Sequence, residues 1–296
     1  MTEQELLEQR RHKWRLDGRA MRTLDDAREF IASVGFCLLY PLSPQAKAGL
    51  GASGGLLVPT FIGAHAGDDR NLPTSQHAFA DPRAKEATEL MVRLLRERAA
   101  YEAPFGDNNL LVAAEVFPYF YGLVGDRNPR QVQKPGVRSE YSPLARDVFE
   151  LIRRAAKISK QKLLESLGGA VSAAALDRAL NELWSRLRII RVDYKPDEGA
   201  FWDELFRWSP QAVRQGIELS VPESLSALIS KYLECVIAAD QQEIGDFFSH
   251  FVPRSKVNEA VNALLAAREL SFVSVGGRSH LQVAAAPAVH REQRRK

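Results

Sequence analysis

Apolar positions along this chain fall into helical and strand-like stretches in an order that occurs twice. The first copy runs from Val148 to about Phe206 and the second from Ile229 to about Val283. The first opens with a helix through Val148, Phe149, Leu151 and Ile152, and a second helix begins at Ser159. A third helix buries Leu176, Ala179, Leu180, Leu183 and Trp184 at three- and four-residue spacing. Alternating residues from Arg188 to Val192 then start a two-stranded ribbon. Superposing the copies matches Leu163 with Ile244, Leu167 with Phe248, Ala179 with Ala260, Asn181 with Asn262, Leu183 with Leu264 and Ile189 with Leu270. Three short helices and a ribbon make a winged helix, whose third helix can enter the DNA major groove. The same repeat can also serve protein contacts, since a fold does not dictate its function.

Ahead of the repeats, residues 1–34 read as helical, with Leu6, Leu7, Trp14 and Leu16 on one face. Thr23, followed by Asp25 and Asp26, marks a helix start, and that helix should stop at Gly35. Phe36–Tyr40 is a short apolar run halted by Pro41, either a buried strand or a helix tail. Glycines break the stretch from Ser43 to Asp81, leaving room for one short strand near Leu56 to Ile62. A helix from Ala84 to Tyr101 follows, and Leu110–Ala114 and Val116–Leu123 read as strands. Gly125–Ser139 is the best linker, and Ser209–Pro222 separates the repeats. The fold class is α+β and predominantly helical, with tandem winged-helix units and a loop-rich middle containing short strands. Its divisions are 1–42, an N-terminal helical part; 43–139, a middle segment completing that unit; 140–210 and 222–284, the two repeats; and 285–296, a basic tail expected to fray.

The 296 residues carry a net charge of only +3, so attraction to phosphate must come from local clustering. Such clusters occur at Arg10–Arg22, at Arg153–Lys162 and at Arg291–Lys296. On the first repeat, Arg178 and Asn181 on the third helix are residue types that pair with base edges. Lys160 and Lys162 before that helix, and Arg188, Arg191 and Lys195 on the ribbon, are placed for phosphates. Lys256 and Arg278 take corresponding places in the less basic second repeat. Trp202, Trp208, Phe201 and Phe206 read as core closing the first wing.

No apolar stretch approaches the roughly 20 residues of a membrane span, and Met1–Arg10 does not read as a signal peptide, so a cytoplasmic location is expected. Cys37 and Cys235 read as buried reduced thiols. The sequence lacks a phosphate loop of Walker type, zinc-spaced cysteine pairs and a nucleophile elbow. His65, His77, Asp68, Asp69 and Asp81 are scattered loop residues rather than a ligand set. No cofactor or metal is expected, and double-stranded DNA is the expected partner.

Asp25–Phe30, the run Val34–Pro41, the later Phe117–Leu123 and the two repeats together resemble the tandem-winged-helix DNA glycosylases that unhook crosslinks and bulky alkyl adducts, in particular their AlkZ-related branch. The resemblance implies an N-terminal winged helix ending near Pro41. It also implies a catalytic signature of Gln, an apolar residue, then Asp or Gln just before a Pro, whose polar pair stabilises charge on deoxyribose and positions water. In this chain the signature falls on Leu38, Leu39 and Tyr40, which cannot supply a carboxylate or carboxamide. The leading expectation is therefore a DNA-binding relative without catalysis. An active glycosylase using another acid is one alternative, with Glu115, which interrupts an apolar run, or Asp81 as candidates. A protein-binding scaffold is the other.

Overall fold

The computed structural model describes residues 1–42, 57–75, 81–106, 108–130, 141–169, 171–195 and 197–284. The basic tail after Ala284, His77, the Gly51–Gly55 run and most of the Gly125–Ser139 linker lie outside them. Among the described residues no helix is long and apolar enough to cross a membrane.

Helix α1 (Glu3–Lys13) starts at a capping box between Thr2 and Glu5. It ends at Trp14, where Arg15 and Gly18 turn the chain through positive φ. Trp14 Nε1 donates to Cys235 O at 2.9 Å, and Arg10 donates to Val236 O and Ala238 O. The helix thereby docks onto the last repeat.

From there, among the described residues, three segments follow a common order of helix, strand, helix, helix and hairpin, the third without the lone strand. The first comprises α2 (Leu24–Val34), β1 (Phe36–Leu38), α3 (Phe61–Ala66), α4 (Pro82–Arg96), β2 (Ala100–Phe105) and β3 (Asn108–Ala113). After α5 (Phe117–Val124), the second comprises α6 (Pro143–Ala155), β4 (Ile158–Ser159), α7 (Lys160–Ser166), α8 (Ala173–Trp184), β5 (Ile189–Lys195) and β6 (Gly199–Glu204). Helices α9 (Leu205–Trp208) and α10 (Pro210–Glu218) lead to the third, made of α11 (Val221–Val236), α12 (Gln241–Phe248), α13 (Arg254–Ala266), β7 (Leu270–Val275) and β8 (Arg278–Val283). In the first two, the lone strand pairs with the last strand of the hairpin, giving sheet orders β1-β3-β2 and β4-β6-β5. In the third, a single antiparallel bridge from Ala239 to Leu281 stands in for that strand. The two repeats thus show the expected order of helices and hairpin, and the N-terminal segment follows it as well.

Local chemistry explains the boundaries. Thr23 and Asp26 cap α2 reciprocally, and Gly35 at φ 76° closes it. A side chain at Gly35 would also meet the Lys231 side chain at 2.5 Å. Ser159 and Ser172 cap α7 and α8, and Gly276-Gly277, both at positive φ, turn the last hairpin. Phe36–Leu38 resolves as a strand. Of the strand expected near Leu56–Ile62, the described residues show an isolated bridge from Thr60 to Leu38, before Thr60 caps α3.

Val116–Leu123 is not a strand but α5. Pro118 suits a first helical turn, where no backbone donor is needed. The aromatic run that imitates a strand wraps a close helix crossing: a Cβ on Gly216 of α10 would approach Pro118 O to 2.7 Å, and one on Gly122 would overlap Ser224 of α11. Cys37 and Cys235 are free and buried, and burial pushes the Cys235 thiol up to about 12.

Arg188 departs from its expected place facing phosphate. Its side chain is 4% exposed, and Nη1 donates to Asp126 Oδ2 at 3.1 Å and to Asn128 O at 2.8 Å. Its guanidinium lies 4.4 Å from the Phe149 ring. Leu187 at φ 52° turns the chain so that this side chain enters the protein. Arg188 ties the turn after α5 to the second hairpin and is unavailable to DNA. We expect Arg188→Ala to destabilise the protein by about 2 kcal/mol, because it removes the buried guanidinium's bonds to the half-buried Asp126 and to Asn128 O. Urea unfolding checks this; a change below about 0.5 kcal/mol would show that the contact is dispensable.

Candidate functional site

Helix α4 should be a free recognition helix by analogy with a simple winged helix. Instead it packs against β5 of the first repeat, and the two flank a cavity of about 620 Å3. Leu39, Tyr40, Met91, Val92 and Leu95 supply much of its apolar lining, and Asn108, Asn109, Arg191 and Tyr194 contribute polar groups. Along α4, Lys85, Glu89, Arg93 and Arg96 also line it. Arg96 and Arg191 pair with Asp193 and Glu102, so the positive charge left over among the described lining residues rests on Lys85 and Arg93, opposed by Glu89.

Two charged clusters hold the walls together. Asp193, with a side chain 3% exposed, accepts from Arg96 Nε and Nη2 at 2.9 and 2.6 Å and from Lys157 Nζ at 2.7 Å. It thus joins α4, β5 and the turn after α6. Burial alone would raise its carboxyl, but hydrogen bonds from Lys157 and Arg96 prevail and hold it below the ordinary range. The register shift between Arg191 and Asp193 is a β-bulge, a device that re-aims side chains along a strand.

The second cluster centres on Glu102 of β2, which is wholly buried. Its Oε1 accepts from Arg191 Nη1 at 2.8 Å, while Oε2 is enclosed without a hydrogen-bond partner. Burial raises the Glu102 carboxyl above its usual range, and Arg191 and the Asn109 amide offset this only in part. The Arg191 guanidinium also lies 4.9 Å from the Trp184 ring and 5.2 Å from the Trp202 ring. Carboxylate and two indoles fix one cation in the cavity wall.

The positions matching the glycosylase signature divide between core and cavity. Leu38 is buried in β1 opposite Leu110, whereas Leu39 and Tyr40 line the cavity. Thr88 Oγ1 donates to Ala84 O at 2.7 Å, so the 2.9 Å contact with Tyr40 has the phenol as donor. Asn108 Nδ2 donates to Tyr40 O at 2.6 Å. Burial raises the phenol further above its ordinary value, so it stays protonated and engaged.

Neither fallback acid reaches this place. Glu115 is exposed in the turn between β3 and α5, and Asp81 caps α4 while pairing with Arg83. Among the expected DNA contacts, Lys162, Arg178 and Asn181 are exposed, and Lys160 pairs with Asp177 at 2.6 Å. Lys195 pairs with Glu198, Lys256 with Glu259 and Arg278 with Glu3, all at the surface. Arg191 is brought into the cavity rather than onto an outer ribbon face. Asp193 is the residue that pattern reading missed, and Glu102, one of the acids nearest the signature in sequence, is passed over there in favour of Glu115. Glu102 carried a usable signal, a single acid within Ala99–Phe105, of the same kind that drew attention to Glu115.

Because Asp193 is depressed in the folded state, its contribution is present above the ordinary Asp range near 3.8 and is lost as pH falls through its lower folded value. We expect Asp193→Asn to cost about 3 kcal/mol at pH 7 and to flatten the loss of stability below about pH 4. Urea midpoints between pH 7 and pH 2.5 test this; parallel profiles for variant and parent would refute it.

Comparison with known proteins places these features in context. The model of the family described as DNA glycosylase AlkZ-like matches residues 63–296, a span that begins after β1 and Tyr40. The Streptomyces sahachiroi DNA glycosylase AlkZ superposes with a TM-score of 0.57 at 13% identity, covering 96% of this chain and 70% of that one. No curated protein matches the sequence. On the extent of the family match, the chain belongs to the AlkZ-like DNA glycosylase family.

Proposed function

We propose that this protein binds duplex DNA, recognising damaged or distorted sites by shape, and does not cleave the glycosidic bond through its family's signature. One observation carries the reading. The cavity at the signature position has a basic wall suited to phosphate, while Leu38 is enclosed in the core and the Tyr40 hydroxyl is bonded to Thr88. Hydrolysing a base–sugar bond needs groups that stabilise an oxocarbenium-like transition state and orient water. A buried alkyl chain and an engaged phenol provide neither. Lys162, Arg178 and Asn181 supply a second, exposed set of DNA-compatible groups on the first repeat. A cytoplasmic site of action accords with this role.

A second reading rests on Glu89, the carboxylate among the described cavity-lining residues. There it could take the acid's part in an active glycosylase, a role for which Glu115 and Asp81 are badly placed.

Retention of plain and alkylated duplex across a salt series, followed by alkaline heating, separates the readings. We expect salt-sensitive binding with no strand breaks, and at least tenfold weaker binding with a flatter salt dependence in Lys160→Glu/Arg178→Glu. Breaks on the alkylated duplex that disappear in Glu89→Gln would establish the enzyme instead. Absence of DNA retention by the parent protein would favour a scaffold.

A further inference from the structure

A second cavity, of about 520 Å3, lies between the turn after α5 and helices α9 and α10, and shares no lining residue with the first. Arg127, Asn128, Arg130, Phe206, Arg214 and Ile217 border it. Phe206 is half-buried: it packs against the core, as its place in an aromatic cluster suggested, and also lines this wall. The Arg130 guanidinium lies 4.6 Å from its ring centroid.

The charges here are unbalanced. Arg127 donates only to neutral carbonyls, those of Gly122, Gly216, Ile217 and Leu219, at 2.5 to 3.2 Å. Arg130 and Arg214 are exposed and form no ion pair among the described residues. No described residue lining the cavity is acidic. Three guanidinium groups around one hollow repel each other, and a bound anion relieves that repulsion.

The frame is also rigid. Asn128 N donates to Asp126 Oδ1 at 2.8 Å, and Arg188 fixes Asn128 O. Arg127 fastens the same turn to the C-terminal end of α10. Prior ordering of this kind reduces the entropic cost of binding. Guanidinium forks match phosphate oxygens, and Phe206 and Ile217 offer an apolar surface to a sugar or base.

We infer that this cavity binds the phosphate of a nucleotide unit, supplied either by a DNA backbone or by a free nucleoside monophosphate. The DNA source rests on the proposed DNA binding; the free-nucleotide source does not. The full-length chain and Arg130→Glu/Arg214→Glu are compared in two assays: AMP binding by calorimetry, and duplex affinity across a salt series. A DNA-backbone source gives at least tenfold weaker duplex binding and a salt slope shallower by about 2, corresponding to two lost phosphate contacts. A free-nucleotide source gives at least tenfold weaker AMP binding with duplex affinity unchanged. The single variant Arg214→Gln, altered on an exposed face of α10, should show a smaller loss in the same assay and serves if the double variant fails to fold. The proposal is overturned if the parent binds neither ligand, or if folded variants bind both as the parent does.

Discussion

The contact on which this architecture turns is the attachment of α4 to β5 through Asp193. A winged helix normally leaves its third helix free to enter a groove. Here the corresponding helix of the first segment is held against the next segment's hairpin by a nearly buried carboxylate that accepts from Arg96 and Lys157. A buried acid is stable only with such partners. The arrangement converts an outward-facing helix into one wall of a cavity, and the Glu102–Arg191 pair sets the position of a cation in the opposite wall.

This explains why the three repeated segments need not act alike. The first has its third helix covered, whereas α8 of the second retains an exposed face with Arg178 and Asn181. In the third, surface cations such as Lys256 and Arg278 face acidic neighbours in Glu259 and Glu3. One topology thus yields a cavity-forming unit, an exposed basic unit and a unit whose surface charge is more nearly balanced.

Features set by local chemistry were legible in the sequence: the caps at Thr23, Ser159 and Ser172, the stop at Gly35, and the Gly276-Gly277 turn each follow from residues adjacent in the chain. Leu176, Leu180, Leu183 and Trp184 announced their buried face through helical spacing. What escaped depended on distant partners. Val116–Leu123 has the apolar density of a strand, and only its packing on Gly216 and Ser224 shows why it is a helix. Arg188, Arg191 and Asp193 lie within six residues, yet one secures a loop, one lines the cavity and one clamps two elements. The direction each takes depends on Leu187's positive φ, the local register shift and side-chain hydrogen-bond partners that lie between 36 and 97 residues away. The order of the N-terminal segment was carried only by the resemblance, because a long glycine-rich stretch separates β1 from α3.

The claim that the α4–β5 cavity faces DNA is tested most directly by photocrosslinking from its rim. A benzophenone side chain placed at Arg93, which lines the cavity from α4, is irradiated with the full-length protein bound to labelled duplex. A crosslink to DNA that is lost on competition with unlabelled duplex is the predicted result. Retained DNA that crosslinks from Arg178 but never from position 93 would show that the cavity faces away from it and contradict this account.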